Sequence, residues 1–243
     1  MKKLISTVLV LGMATSLAAC GSSAAATPAS TADAVSTEST AAADTDLAYI
    51  QGKGKMTIGY TVYEPMNYTD ADGNFTGFDT ELATAVCAKL GVEPDFVEIN
   101  WDTKVVELDA KSIDCIWNGM TLTDDIMANT TCTKPYAKNA QVVVMKADAA
   151  YASTADLAGK TVVAEADSAD AAVLDLTLAT AMIGEGTDYA NLAIKDELNA
   201  EEYGVAFRKG SDAAEAVNAA FDELKADGTM QALADKYSLT LAD

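Results

Sequence analysis

The chain has 243 residues, with Lys plus Arg numbering 16 and Asp plus Glu 37, for a formal net charge of −21. That charge repels phosphate backbones and anionic headgroups, so no nucleic-acid partner is expected. Half of the residues are hydrophobic, ample for a core in one or two domains. There is no histidine, which removes His-based triads, His acid–base catalysis and His-ligated metals together.

Lys2 and Lys3 open the chain, and an apolar stretch follows from Leu4 to about Leu17, too short for a transmembrane span. It runs into Leu17-Ala18-Ala19-Cys20-Gly21, which resembles the lipobox of bacterial lipoproteins. The resemblance implies cleavage before Cys20 and a diacylglycerol on its thiol, making residues 1–19 a lipoprotein signal peptide. An ordinary secretory signal with a coincidental Cys is the plainer alternative. Losing 19 residues, two of them lysines and none acidic, would leave 224 residues with a net charge of −23. Residues 20–46 are mostly Ser, Thr, Ala and Asp and offer too little apolar surface to offset their ordering entropy. They read as a flexible tether.

From residue 47 the pattern alternates strand and helix. Residues 56–60 alternate apolar with small or polar groups, as a strand does. Asp70-Ala71-Asp72-Gly73-Asn74 is turn chemistry. Asp79 is a candidate N-cap for a helix carrying Leu82, Val86 and Leu90, with Gly91 at its C-terminal stop. Residues 96–99 form a second strand and 102–111 a helix with Val105 and Leu108 on one side. Residues 113–117 form a third strand ending in Asn118-Gly119, with Trp117 as core. Asp124-Asp125 reads as a solvated helix start. Residues 141–145 are a strand covered on both faces, and 162–164 and 172–174 are two short ones. Asp212 and Glu215 open a helix with Val217, Phe221 and Leu224, closed at Gly228; Met230, Leu233 and Tyr237 continue a last helical stripe. The alternation implies an α/β fold with mostly parallel sheet, whose ligand sites lie at the carboxyl ends of strands.

Six segments in order resemble the polar amino-acid solute-binding proteins of ABC importers. They are Tyr63-Glu64-Pro65-Met66-Asn67-Tyr68 with Gly77-Phe78-Asp79, the stretch 113–123, and Lys134-Pro135-Tyr136. Leu157-Ala158-Gly159-Lys160-Thr161-Val162, the stretch 170–175 and the stretch 202–210 complete the set. The resemblance implies a two-lobe periplasmic-binding-protein-like fold that closes on a solute. Residues 47–145 and 203–243 would make lobe I with its C-terminal helices, and 146–202 lobe II.

The same resemblance implies a binding site residue by residue. Tyr63 and Trp101 would wall the ligand, and the Asn118–Gly119 backbone and the Thr121 hydroxyl, with Thr123 beside them, would make polar contacts. Ser168 would sit at a helix N-terminus, and Asp175 would take the ligand's ammonium. Considered alone, Tyr63 and Trp101 read as ordinary aromatics, and Thr121 and Thr123 as β-formers. Cys87, Cys115 and Cys132 read as small buried hydrophobes, with a Cys115–Cys132 bridge as the alternative. Neither metal nor cofactor is expected, there being no CxxC and no His.

Two departures from the family pattern stand out. Ile126 occupies the place of an Arg that clamps the ligand's α-carboxylate; Lys104 and Lys138 are the candidate substitutes. Between Ala166 and Asp170 the family has a helix, a strand and another helix, so lobe II is expected to be reduced. Its strands 162–164 and 172–174 are too closely linked for a helical crossover and predict a hairpin or one kinked strand.

The expected protein is therefore a lipid-anchored extracytoplasmic receptor, not an enzyme. It would deliver an amino acid or related cationic, amine-bearing solute to an ABC permease in the membrane. A signalling or adhesive lipoprotein that kept the fold, and a dehydratase-like enzyme, are the rival readings.

Overall fold

The computed structural model of the chain describes residues 45–163, 170–184 and 186–243. Cys20 and Ser168 therefore lie outside the described residues. The described segments fall within one unit, residues 41–243.

The first helix, α1 (Asp46–Gly52), is capped by the Thr45 side chain and begins at the last residue expected of the tether. Strand β1 (Lys55–Tyr60) follows, then a small hairpin of β2 (Tyr68–Thr69) and β3 (Phe75–Thr76) around the Asp70 turn. Helix α2 (Phe78–Leu90) buries Leu82 and Val86 and stops at Gly91, whose φ of 71° is left-handed. Its N-cap is Gly77 and not Asp79, which lies in the first turn and is fully buried. The N-cap expectation fails because Asp79 has stronger partners across the sheet, described below.

Strand β4 (Glu93–Glu98), a 3₁₀ turn at Trp101–Thr103, α3 (Lys104–Asp109) and β5 (Cys115–Thr121) come next. Then follow α4 (Asp124–Asn129), β6 (Thr131–Cys132) and β7 (Ala137–Lys146). The second lobe supplies β8 (Val162–Val163), β9 (Ala171–Asp175) and α5 (Leu176–Met182). A single 16-residue strand, β10 (Leu192–Phe207), returns to the first lobe. Helices α6 (Ala213–Ala226) and α7 (Thr229–Tyr237) and strand β11 (Thr240–Leu241) end the chain.

One sheet runs through both lobes in the order β4-β1-β5-β10-β7-β9-β8, with β6 on β10 and β11 on β7. It is mixed, which corrects the mostly parallel expectation. Pairs β1–β4 and β1–β5 are parallel, whereas β10 runs antiparallel to β5 and to β7. The reason is the long return strand, which retraces β7 from Leu192↔Lys146 to Tyr203↔Ala137 and so must oppose it. Strands β8 and β9 also depart from expectation. They pair in parallel, at Val162↔Ala171 and Val163↔Ala172. With only two registered pairs, the link from Val163 to Ala171 has to bring the chain back by little more than one strand spacing, about 5 Å, so no helical crossover is needed.

Four apolar clusters divide the molecule. The largest packs α1, α2, α6 and α7 on one face of β1, β5 and β10 and includes Trp117, Tyr136, Tyr203 and Phe221. A second, on Ile99, Leu108, Ile116 and Ile126, covers the other face. In lobe II, Val142 and Val144 pack under α5, while Val143 and Met145 face Leu157 and Tyr151, so β7 is covered on both sides as its sequence predicts. Cys115 belongs to the first cluster and Cys132 borders the second. The two therefore face opposite sides of the sheet, and all three described cysteines are free thiols. Burial pushes the Cys87 thiol up to about 12.

Arg208 ties the ends of the first lobe together. Its guanidinium donates to Asp46 Oδ1 at 2.9 and 2.7 Å, to Asp114 Oδ1 at 3.4 Å and to the Ile113 carbonyl at 2.7 Å. Lys53 completes the network on Asp114 Oδ2. Among the described residues no helix is long and apolar enough to cross a membrane.

Candidate functional site

The lobes meet where β5, β7 and β10 lie side by side and the loop after β1 reaches over them. Side chains alternate along a strand, so Asn139 and Gln141 on β7 share one face. Register places Glu201 of β10 directly opposite Asn139, and Asp175 of β9 directly opposite Gln141. A row of polar groups thus crosses three strands: a carboxylate, a pair of carboxamides, a second carboxylate.

Asp175 is the centre of this row. It ends β9 and caps α5, accepting from the backbone N–H groups of Thr177 at 2.9 Å and Leu178 at 3.3 Å. The Tyr63 hydroxyl donates to Oδ1 at 2.7 Å, and on Oδ2 the Tyr203 hydroxyl donates at 2.7 Å and Asn139 Nδ2 at 2.5 Å. Tyr63 comes from lobe I, Tyr203 and Asn139 from the hinge strands and Asp175 from lobe II. The two phenol oxygens are 3.2 Å apart. Burial and the Asp175 charge push the Tyr63 ionisation well above its usual value, and burial with the Tyr63 and Asp175 neighbours does so for Tyr203. Both phenols are therefore neutral donors at any physiological pH.

Glu201 lies at the other end. Its Oε2 accepts from Thr121 Oγ1 at 3.1 Å, Asn139 Nδ2 at 3.2 Å and Gln141 Nε2 at 3.5 Å. Thr121 thus joins the row through Glu201, a partner the sequence did not suggest. Glu201, Tyr203, Asn139 and Gln141 were missed as site residues. The only signal was polarity at alternate positions of apolar strands, and its meaning depends on register.

The Asn118–Gly119 segment is built into a support beneath the site. The Asn118 side chain is buried; it accepts from the Thr61 hydroxyl at 2.6 Å and donates to Asn67 Oδ1 at 2.8 Å. Gly119 has φ 55°, and an added Cβ would lie 2.9 Å from the Tyr63 ring, so glycine lets that ring settle on β5. The Gly119 N–H donates to Asp79 Oδ2 at 2.5 Å, and Tyr136 adds its hydroxyl at 2.9 Å. Asp79 Oδ1 has no partner, nor does the Trp117 indole N–H. Complete burial pushes the Asp79 carboxyl up to about 7 against the lowering effect of its donors.

Trp101 and Thr123 do not join the row around Asp175. Trp101 packs on the second cluster, with the Lys104 ammonium 4.5 Å above its ring. Thr123 caps α4, accepting from the Ile126 N–H at 3.3 Å. Ile126 is buried in the second cluster and Asp124 and Asp125 are exposed in the first turn of α4. Of the two candidate replacements for the absent Arg, Lys104 also donates to the Trp101 carbonyl, and Lys138 pairs with Asp243 at 3.0 Å.

The sheet is mixed, β7 and β10 pair along their length, and the polar row crosses β10, β7 and β9. Residues 56–240 match the bacterial extracellular solute-binding proteins, family 3. The chain belongs to that family.

The L-cystine-binding protein TcyJ of Escherichia coli (strain K12) is 30% identical over 225 positions, covering 77% of this chain and 84% of that protein. Seventy-seven per cent of 243 residues is about 187, so about 38 of those 225 positions have no counterpart here. A solute-binding protein of an ABC uptake transporter from Streptococcus pneumoniae, solved with bound histidine, is 27% identical. It has a TM-score of 0.69, covering 80% of this chain and 96% of its own. The ancestral amino acid-binding protein AncCDT-1, described as a precursor of cyclohexadienyl dehydratase, is 26% identical with a TM-score of 0.68, over 79% of this chain and 98% of its own. The chain is thus a member of a family of amino-acid-binding receptors and shares their two-lobe fold.

Proposed function

We propose that this protein is a lipid-anchored extracytoplasmic receptor that hands an amino acid or related amine-bearing solute to an ABC permease. It acts by binding and closure and not by catalysis. The observation that carries this reading is the Tyr63–Asp175 hydrogen bond of 2.7 Å between the lobes, in a chain of this family. The Tyr63 hydroxyl stands where a ligand's ammonium would approach Asp175. Opening the lobes withdraws Tyr63 and leaves Oδ1 with two backbone donors and room for a cation. Tyr63, Gly119, Thr121 and Asp175 form the ligand surface, with Asn118 as support; Trp101, Thr123 and Ser168 are further candidate contacts. Relatives that bind cystine and histidine support an amino-acid-like solute.

The sequence features before residue 45 support anchoring through Cys20, with residues 20–46 as the tether. Lobe II, residues 146–202, is read as a reduced lobe, supported by the short sequence between β8 and β9.

A thermal-shift screen of the twenty amino acids and simple amines tests the solute reading. A ligand at 100 times its dissociation constant stabilises by about 2.7 kcal/mol. A stabilising amine or amino acid whose effect is abolished by Asp175→Asn supports it, and a complete absence of stabilisation overturns it. Cys20→Ser tests the anchor. Loss of membrane association with an unchanged fold supports it, and retention in the membrane pellet after salt and carbonate washing overturns it.

A further inference from the structure

We infer that Glu201 is a specificity-determining residue of the solute site, which with Asp175 selects a solute carrying two positive groups and no carboxylate. This rests on reading the interlobe cleft as the solute site and deepens that reading.

The first support is geometric. One amide nitrogen, Asn139 Nδ2, donates to Asp175 Oδ2 at 2.5 Å and to Glu201 Oε2 at 3.2 Å. Two carboxylate oxygens that share one donor lie within a single hydrogen-bonded span. The sheet register holds them there, since Glu201 faces Asn139 and Asp175 faces Gln141 on adjacent strands.

The second support is charge. Among the described residues no Lys or Arg forms an ion pair with either carboxylate. Only neutral donors serve them: phenols, carboxamides, the Thr121 hydroxyl and backbone N–H groups. Like charges this close are relieved by a cation placed between them, and a solute with two cationic centres neutralises both.

The third support comes from outside the row. A zwitterion needs a positive group for its carboxylate. Ile126 is buried in apolar surroundings, and Lys104 and Lys138 are engaged elsewhere. A solute carboxylate would therefore meet two acids with no Lys or Arg paired to them among the described residues.

Glu201 also reports closure. Its bond to Thr121 joins the hinge to the end of β5, so a cation on Glu201 acts on the lobe I wall as well as on the hinge. The residue is half-buried among exposed neighbours, so Glu201→Gln preserves the fold and can still accept from Thr121.

Isothermal titration of the full chain in detergent decides the matter, using three probes that differ by one group at a time. Agmatine carries a guanidinium and an ammonium, arginine adds a carboxylate to them, and n-butylamine carries one ammonium alone. Agmatine is expected to bind more tightly than either. Glu201→Gln should weaken agmatine about tenfold or more, while n-butylamine changes by less than about twofold. Equal affinities for agmatine and n-butylamine, tighter binding of arginine than of agmatine, or an unchanged agmatine affinity in Glu201→Gln would each overturn the inference and leave solute binding intact. If no amine and no amino acid binds the wild-type chain, both this inference and the receptor reading fall. Should Glu201→Gln not fold, the wild-type ranking of the three probes decides alone.

Discussion

Tyr63 and Asp175 are 112 residues apart in sequence and 2.7 Å apart in space, one on the loop after β1 and the other at the tip of β9. Their bond joins the two lobes through a neutral phenol and a carboxylate.

Tyr63→Phe removes that donor and keeps the ring that rests on Gly119. A hydrogen bond to a charged group contributes about 1.5–3 kcal/mol, so the ligand-free equilibrium should shift toward the open state by about tenfold or more. Small-angle scattering should show a larger radius of gyration for the ligand-free variant, with little change in thermal midpoint. An unchanged radius would mean that other contacts hold the lobes closed.

Asp79 makes stability depend on pH in a defined direction. Its carboxyl titrates at about 7 in the folded chain against a normal value of 3.8, so folding favours the protonated form. Its contribution is fully present below 3.8 and is lost as pH rises through about 7. Asp79→Asn removes this dependence. The stability difference, variant minus wild type, should move in the variant's favour as pH rises across that window. Urea denaturation at several pH values checks it; a difference constant with pH would contradict the buried carboxyl's role.

Arg208 is bonded to Asp46, Asp114 and two backbone carbonyls with its side chain 10% exposed. Removing one partner of a buried charged network costs about 3–5 kcal/mol. Arg208→Ala should lower stability by that order. Arg208→Lys should lose most of it too, because one ammonium cannot span Asp46 and the Ile113 carbonyl together. The midpoint of chemical unfolding measures both, and a lysine variant as stable as wild type would sink the argument.

Hydrogen exchange should separate the lobes. In lobe I the largest cluster covers β1 and β5 with four helices, whereas in lobe II a seven-residue helix and a two-residue edge strand cover little. Amides of residues 171–182 should exchange faster than those of 56–60 and 115–120. The hinge residues 139–146, paired with β10 along their length, should be protected like lobe I. Equal protection in residues 171–182 and 56–60 would mean that lobe II is as well packed as lobe I.

What the sequence by itself determined was local and periodic. Helical spacing placed α2, α6 and α7, the run of β-branched residues placed β7, and Gly91 marked a helix end, because each signal lies within one turn or one strand. The order of six short segments identified the family. Only the tertiary structure decided what the side chains touch. Asp79 left its capping role because Gly119 and Tyr136, 40 and 57 residues away, offered it better donors. Glu201 and Asn139 came together because the antiparallel register of β7 and β10 set them opposite one another, and Tyr203, two residues along β10 from Glu201, shares that face. Register is a non-local quantity: a one-residue slip sends every side chain to the other face, and no pattern within a single strand fixes it.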